Sequence, residues 1–407
     1  MKKGIGLTLL SAYHFTYFIY LGFAAFVSKY FAEIGLSESQ IGILTSVPAL
    51  ISMCFMPMWG ALADRMKYKK YLLAFVVAAA GVLLLFMDSL TDFSRIDPAT
   101  GRLAAEATKF LPLLALLTMN NIFSQACMPT STSIALEYTA SVGSSFGPIR
   151  MMGTVGYQVG ALLIGVICVN SLRYMYSWQG AAMIAAGLFA LTLPNVGGHQ
   201  YGKKKVSPLA VLKDKRVLML LIIILVACTT TMFYMSFFGA FMEQLNINNR
   251  VASVITWVSV LLEIPLLFFS QKIMKLRSVW QWIMIGLVFT GIRWIGFFIS
   301  AQAESWVMLV IFQIPAVLVL ATFEFFPSIY IGNIIAPELS SSAQTMLNLV
   351  MFGVARFTGS LIGGFISQQI GMQTMFLING ILLLIASVVF WPICRKMHAE
   401  DLARGIK

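Results

Sequence analysis

Stretches of about twenty apolar residues recur along the whole 407-residue chain, and a helix of that length spans the hydrocarbon core of a bilayer. Lipid offers no partner to backbone N–H and C=O groups, so such stretches must close their hydrogen bonds internally as helices. The pattern predicts spans at 6–28, 40–62, 70–89, 110–134, 149–170 and 174–194, then at 217–241, 251–272, 279–300, 306–332, 342–367 and 374–394. The expected fold is an all-α polytopic membrane protein of twelve helices in two six-helix bundles. Residues 1–196 and 217–407 form the bundles, and 197–216 is a basic linker with Lys203, Lys204, Lys205, Lys213, Lys215 and Arg216. A weak repeat, Phe55-Met-Pro57 against Glu263-Ile-Pro265 with a basic turn after each, suggests duplicated halves.

The net charge of +12 would suggest nucleic acid in a soluble chain, but its placement explains it better. With these spans, 20 of the 28 Lys and Arg fall on one side, 6 on the other and 2 inside the membrane. That bias sets both termini in the cytoplasm of a bacterial inner-membrane protein, with no nucleic-acid partner. The start, Met1-Lys2-Lys3 and a long apolar run, reads as a first span and not as a signal peptide. The cysteines (54, 127, 168, 228 and 394) lie in or beside spans without metal-ligand spacing and read as packing residues. No phosphate loop, paired-His motif or nucleophile elbow appears, which argues against an enzyme, a metal site or an ATP-driven pump. The outward loop 90–109 mixes both charges and reads as a solvated connector, with a small recognition flap as the alternative.

Four ionisable residues stand inside spans of the second half: Glu263, Arg293, Glu324 and Arg356. Each costs about 2.5–3.5 kcal/mol at a helix centre on the mildest scale, so they must face the interior and pair. Depth along the helices suggests Glu263 with Arg293 and Glu324 with Arg356. A low-dielectric site favours a protonated carboxyl and a nearby arginine favours the charged one, so such a couple can load and release a proton. A static buried ion pair is the alternative. The first half supplies uncharged polarity: Asn120, Asn121 and Gln125 on the fourth span, Gln158 on the fifth, and Tyr13, His14, Tyr17 and Tyr20 on the first. Amides suit hydroxyl groups and rings suit apolar faces of a sugar or nucleoside. Interhelical hydrogen bonding is the alternative for each.

Between the second and third spans lies a charged island at 60–70, Gly-Ala-Leu-Ala-Asp-Arg-Met-Lys-Tyr-Lys-Lys. Gly60 is expected to let helix ends approach, Asp64 to face a basic partner or helix N-terminus, and Arg65, Lys67, Lys69 and Lys70 to hold the turn in the cytoplasm. Gly60, Leu62, Ala63, Asp64, Arg65, Lys69 and Lys70 resemble the signature turn of the major facilitator superfamily, with Lys67 and Tyr68 departing from it. The run from Phe146 through Gly147, Arg150, Gly153, Gly156 and Tyr157 to Gly160 resembles the lactose permease and nucleoside–proton symporter branch. The resemblance implies secondary transport by alternating access, driven by a proton gradient without a cofactor, by a chain expected to be monomeric. It implies that Arg150 holds solute hydroxyls, that Tyr157 stacks on a ring, and that Arg293 works beside a proton site. Gln313 stands where that branch has a histidine, and the acid expected on the fourth span is replaced by the run around Thr132, with Glu137 near the loop.

The combined expectation is proton symport of a small polar organic solute, a sugar or nucleoside. Solute would meet Arg150, Tyr157, Asn120, Asn121, Gln125, Gln158, Gln313, His14 and Tyr17. Coupling would fall to Glu263, Arg293, Glu324 and Arg356, and a cytoplasmic gate to Gly60, Asp64 and Arg65. Proton-driven efflux of amphiphiles is the nearest alternative, and a non-transporting receptor or scaffold the remote one.

Overall fold

A computed structural model describes residues 3–95, 107–144, 146–197, 214–261, 276–335 and 346–404, with 103, 212 and 273 as isolated positions. Two compact units emerge, one of residues 1–202 with 242–254, the other of 203–241 with 255–407.

The first unit contains α1 (Lys3–Ala24), α2 (Val27–Glu33), α3 (Glu38–Arg65), α4 (Lys69–Leu85), α5 (Phe110–Ser141), α6 (Gly147–Ile167) and α7 (Met175–Ala190). Helix α8 (Lys215–Gln244) begins in the second unit and ends in the first, followed by α9 (Asn249–Leu261). The second unit continues with α10 (Val279–Gln302), α11 (Trp306–Ile311), α12 (Ala316–Leu320), α13 (Phe326–Ile334), α14 (Gly363–Ile370) and α15 (Met372–Ala403). Among the described residues ten helices are long and apolar enough to cross a membrane. The expected sixth span appears as the shorter α7, and the described part of the expected eighth is α9.

Helix starts are closed by side chains where no earlier turn can supply acceptors. Ser37 with Gln40, and Ser278 with Gln281, form capping boxes at α3 and α10. Asp88 accepts from both the backbone N–H and the hydroxyl of Ser177 in the first turn of α7.

Close backbone approach sets the packing, as expected where helices gain nothing from excluding water from one another. Between α1 and α6, a Cβ at Gly156 would lie 2.1 Å from the Phe15 carbonyl oxygen, and one at Gly160 2.3 Å from that of Ile19. Gly81 and Gly180 join α4 to α7 reciprocally, each added Cβ falling 2.9 and 2.7 Å from the other glycine's carbonyl oxygen. Gly291 and Gly380 repeat this between α10 and α15, at 3.1 and 2.8 Å. Internal duplication is therefore visible in helix contacts; the repeat around Glu263 lies outside the described residues.

Two expected spans are not continuous α-helices. Pro315 has no N–H and interrupts the tenth, so the turns from Gln313 to Leu318 tighten, as in Leu318 N–H to Pro315 O at 3.2 Å. A π-helical turn, Ala321–Phe325, follows. The eleventh carries two more, Leu349–Val354 and Thr358–Ile362, around the single α turn Ala355–Phe357. Nor is the described base of the outward loop simply solvated: Thr91 and Thr108 are buried and bridged, and Asp92 N–H reaches Ala107 O at 2.9 Å.

Gly60, expected to permit close approach, instead faces open space. Gly160→Ala and Gly380→Ala should each cost about 1–3 kcal/mol through overpacking and lower the melting temperature of the detergent-solubilised protein. Gly60→Ala should leave it unchanged or raise it, because a helical glycine gives way to a better helix former.

Candidate functional site

Each unit gathers polar and aromatic side chains inside its spans. In the first, Tyr13 and Tyr17 are buried on α1 with their rings stacked at 6.0 Å. His14 lies between Phe18 and Phe146, its Nδ1 donating to Leu10 O at 2.9 Å. That bond leaves Nε2 as the acceptor, and this atom is buried with no hydrogen-bond partner among the described residues. Arg150, exposed on α6, sets its guanidinium 4.7 Å from the centre of the Phe18 ring. Gly153 makes this seat, since its added Cβ would meet the Phe18 ring at 3.0 Å. The glycine–arginine run is thus a packing device that places a cation over an aromatic face. The ring beneath Arg150 is Phe18; Tyr157 is half-buried on α6.

The amides divide by role. Asn120 is buried and donates to Ala80 O at 2.9 Å, tying α5 to α4. Asn121 donates to Leu117 O within its own helix, and Gln125 donates to Ser52 Oγ at 3.2 Å; both remain half-buried. Gln158 is buried on α6.

In the second unit Arg293 is only 3% exposed. Its guanidinium donates to Gln313 Oε1 and lies 4.3, 4.8 and 5.4 Å from the ring centres of Tyr234, Trp294 and Phe297. Gln313, fully buried in the broken tenth span, directs Nε2 to Tyr234 Oη at 3.5 Å, and Trp294 Nε1 donates to Thr230 Oγ1 at 3.1 Å. The arrangement holds a cation and an amide of fixed orientation within an aromatic wall. Glu263, the expected partner of Arg293, lies outside the described residues. Glu324 and Arg356 are half-buried, Glu324 in a π-helical turn and Arg356 between two. Such turns displace the regular ladder and frequently occur at functional positions.

The island at 60–70 departs most from expectation. Arg65 is exposed in the last turn of α3; Asp64 precedes it, with a side chain outside the described residues. Lys69 is 2% exposed and pairs with Glu137 at 2.5 Å and with Ser133 Oγ at 2.8 Å. Lys70 donates to Leu193 O at 3.1 Å, and Lys69 N–H to Val196 O at 3.0 Å. The turn is clamped to the ends of two other spans, and Glu137 serves Lys69.

Three further polar links leave no signal in the sequence. Lys29 pairs with Glu243, both within the first unit, where Asn249 also donates to Cys168 O at 2.6 Å. In the second, Asp401 accepts from Arg216 at 3.2 Å and from Trp280 Nε1 and Tyr330 Oη, each at 2.7 Å. Arg216 also holds Asp214. Burial pushes the Asp214 carboxyl up, but the hydrogen bonds and charge of Arg216 outweigh it and leave the carboxyl below its usual range. These residues sit at span ends, where a sequence gives no sign that a charge is buried.

A model of the MFS_1 like family matches residues 7–378. The chain is 23% identical over 358 residues to the uncharacterized transporter YwbF of Bacillus subtilis, covering 85% of this chain and 82% of that protein. It is 21% identical over 355 residues to the putative nucleoside transporter YegT of Escherichia coli, covering 82% and 78%. Among solved structures, the nucleoside transporter NupG superposes with a TM-score of 0.81 at 17% identity, covering 96% of this chain and 99% of that one.

Removing one partner of the Lys69–Glu137 pair should strand a charge. Lys69→Met or Glu137→Gln alone should destabilise the solubilised protein by on the order of 2 kcal/mol, less than for a fully buried pair because Glu137 is partly exposed. The double variant should recover most of that loss in a thermal-unfolding cycle.

Proposed function

The chain belongs to the MFS_1 like family of membrane transporters, and on that premise we propose that it imports nucleosides by proton symport through alternating access. The host membrane is the inner membrane of a bacterium. The observation that carries the solute assignment is the Arg293–Gln313–Tyr234 group. A nucleobase offers a flat face and an edge of adjacent donors and acceptors. An oriented amide beside a guanidinium, within aromatic walls, has complementary chemistry. Similarity to the putative nucleoside transporter YegT and to the nucleoside transporter NupG supports the same class.

Coupling is assigned to Glu324 and Glu263, with Arg356 and Arg293 as the cations that favour their charged forms. Glu324 in its π-helical turn is the described member of the acidic pair. A carboxyl that exchanges its proton as access alternates ties solute movement to the gradient.

In proteoliposomes with an inward proton gradient, the protein should accumulate radiolabelled uridine, and a protonophore should stop accumulation. Accumulation that survives the protonophore rules out symport, and uptake of sugars without nucleosides rules out the solute class. Gln313→Leu should cut uridine uptake at least about tenfold, the equivalent of ~1.4 kcal/mol. Glu324→Gln should lose uphill uptake while keeping uridine exchange.

A further inference from the structure

A groove of about 530 Å³ lies between α10 and α15 and shares no residue with the Arg293 cluster. At one end stand Arg277 and Arg395, both exposed, and His398. Beyond them the walls are apolar and open sideways, with Val388 73%, Trp391 60% and Phe289 44% exposed. On a membrane-spanning helix pair, such a surface faces lipid.

Two observations set the chemistry of the occupant. The first is charge. Among the described residues neither arginine forms an ion pair, and His398 Nδ1 is buried without a hydrogen-bond partner. Asp401 does not neutralise this end, because Arg216, Trp280 and Tyr330 already occupy it. Glu400 lies about 200° around α15 from His398. The second is length. From Arg277 to Phe289 is about 18 Å at 1.5 Å per residue, and from His398 to Val388 about 15 Å, close to half of a ~30 Å hydrocarbon core. The groove therefore has a cationic mouth at headgroup level and an apolar trough one leaflet deep.

We propose that this groove binds an anionic phospholipid, with the headgroup phosphate on Arg277 and Arg395 and one acyl chain along Val288, Phe289, Val388 and Trp391. Basic pockets between membrane helices have this preference because the phosphate and guanidinium attract in a poorly solvated interface. The site is independent of the transport reading.

Native mass spectrometry of the full chain in detergent tests it, using phosphatidylglycerol and phosphatidylcholine with identical acyl chains. The wild type should retain phosphatidylglycerol at about thirtyfold lower concentration than phosphatidylcholine, the scale expected of two interfacial arginines. R277Q/R395Q should abolish that preference, whereas K109Q/R173Q, which removes two charges elsewhere, should preserve it. Equal retention of the two lipids by the wild type, or an unchanged preference in R277Q/R395Q, overturns the proposal. Should R277Q/R395Q fail to fold, a phosphatidylglycerol with a diazirine in its acyl chain gives the answer on wild-type protein. Crosslinks concentrated on peptides containing Phe289 and Trp391 support the site, and crosslinks spread evenly over the spans refute it.

Discussion

Hydrocarbon supplies neither hydrogen bonds nor counter-charges, and the polar side chains of this protein are arranged around that constraint. Asp401 shows the solution most fully. Its carboxylate accepts from Arg216, Trp280 and Tyr330, linking the ends of α8, α10, α13 and α15. Lys69 with Glu137 and Ser133 serves the first unit in the same way. These contacts pin helix ends, while glycines bring α1 and α6, α4 and α7, and α10 and α15 to backbone contact. Rigid bundles result, within which a few polar groups can be held at fixed positions.

Much of the fold is legible in the sequence because the length of an apolar run is a one-dimensional quantity. The all-helical architecture follows from the recurrence of twenty-residue runs alone. The burial of Arg293 is legible as well, since a charge deep in an apolar span must face the protein interior. Its contact with Gln313 is not, because the two residues stand on different spans and their meeting is set by packing. Lys69 reads as a surface residue because a sequence cannot distinguish a lysine at a solvated turn from one folded back beneath it. Asn120 suits a solute contact by residue type, yet one of its amide N–H groups is held by the backbone of α4. Residue type narrows the candidates; which face each residue uses comes from packing.

The two polar clusters differ in kind. Around Arg150 the cation is exposed and rests on the Phe18 ring. Around Arg293 the cation is sealed by three rings and an amide, so reaching it requires those groups to give way. The irregular tenth and eleventh spans lie in the same unit, and their π-helical turns offer backbone that rearranges more cheaply than a regular helix.

The central claim is that the Arg293–Gln313–Tyr234 group recognises a nucleobase. The most direct measurement is the thermal stabilisation of the purified protein by uridine and adenosine, compared with that by ribose, in the wild type and in Gln313→Leu. Binding to the folded state raises the melting temperature by mass action. The account predicts a rise with the nucleosides, little with ribose, and loss of the nucleoside effect in the variant. A rise with ribose alone, or an equal nucleoside rise in Gln313→Leu, would contradict it.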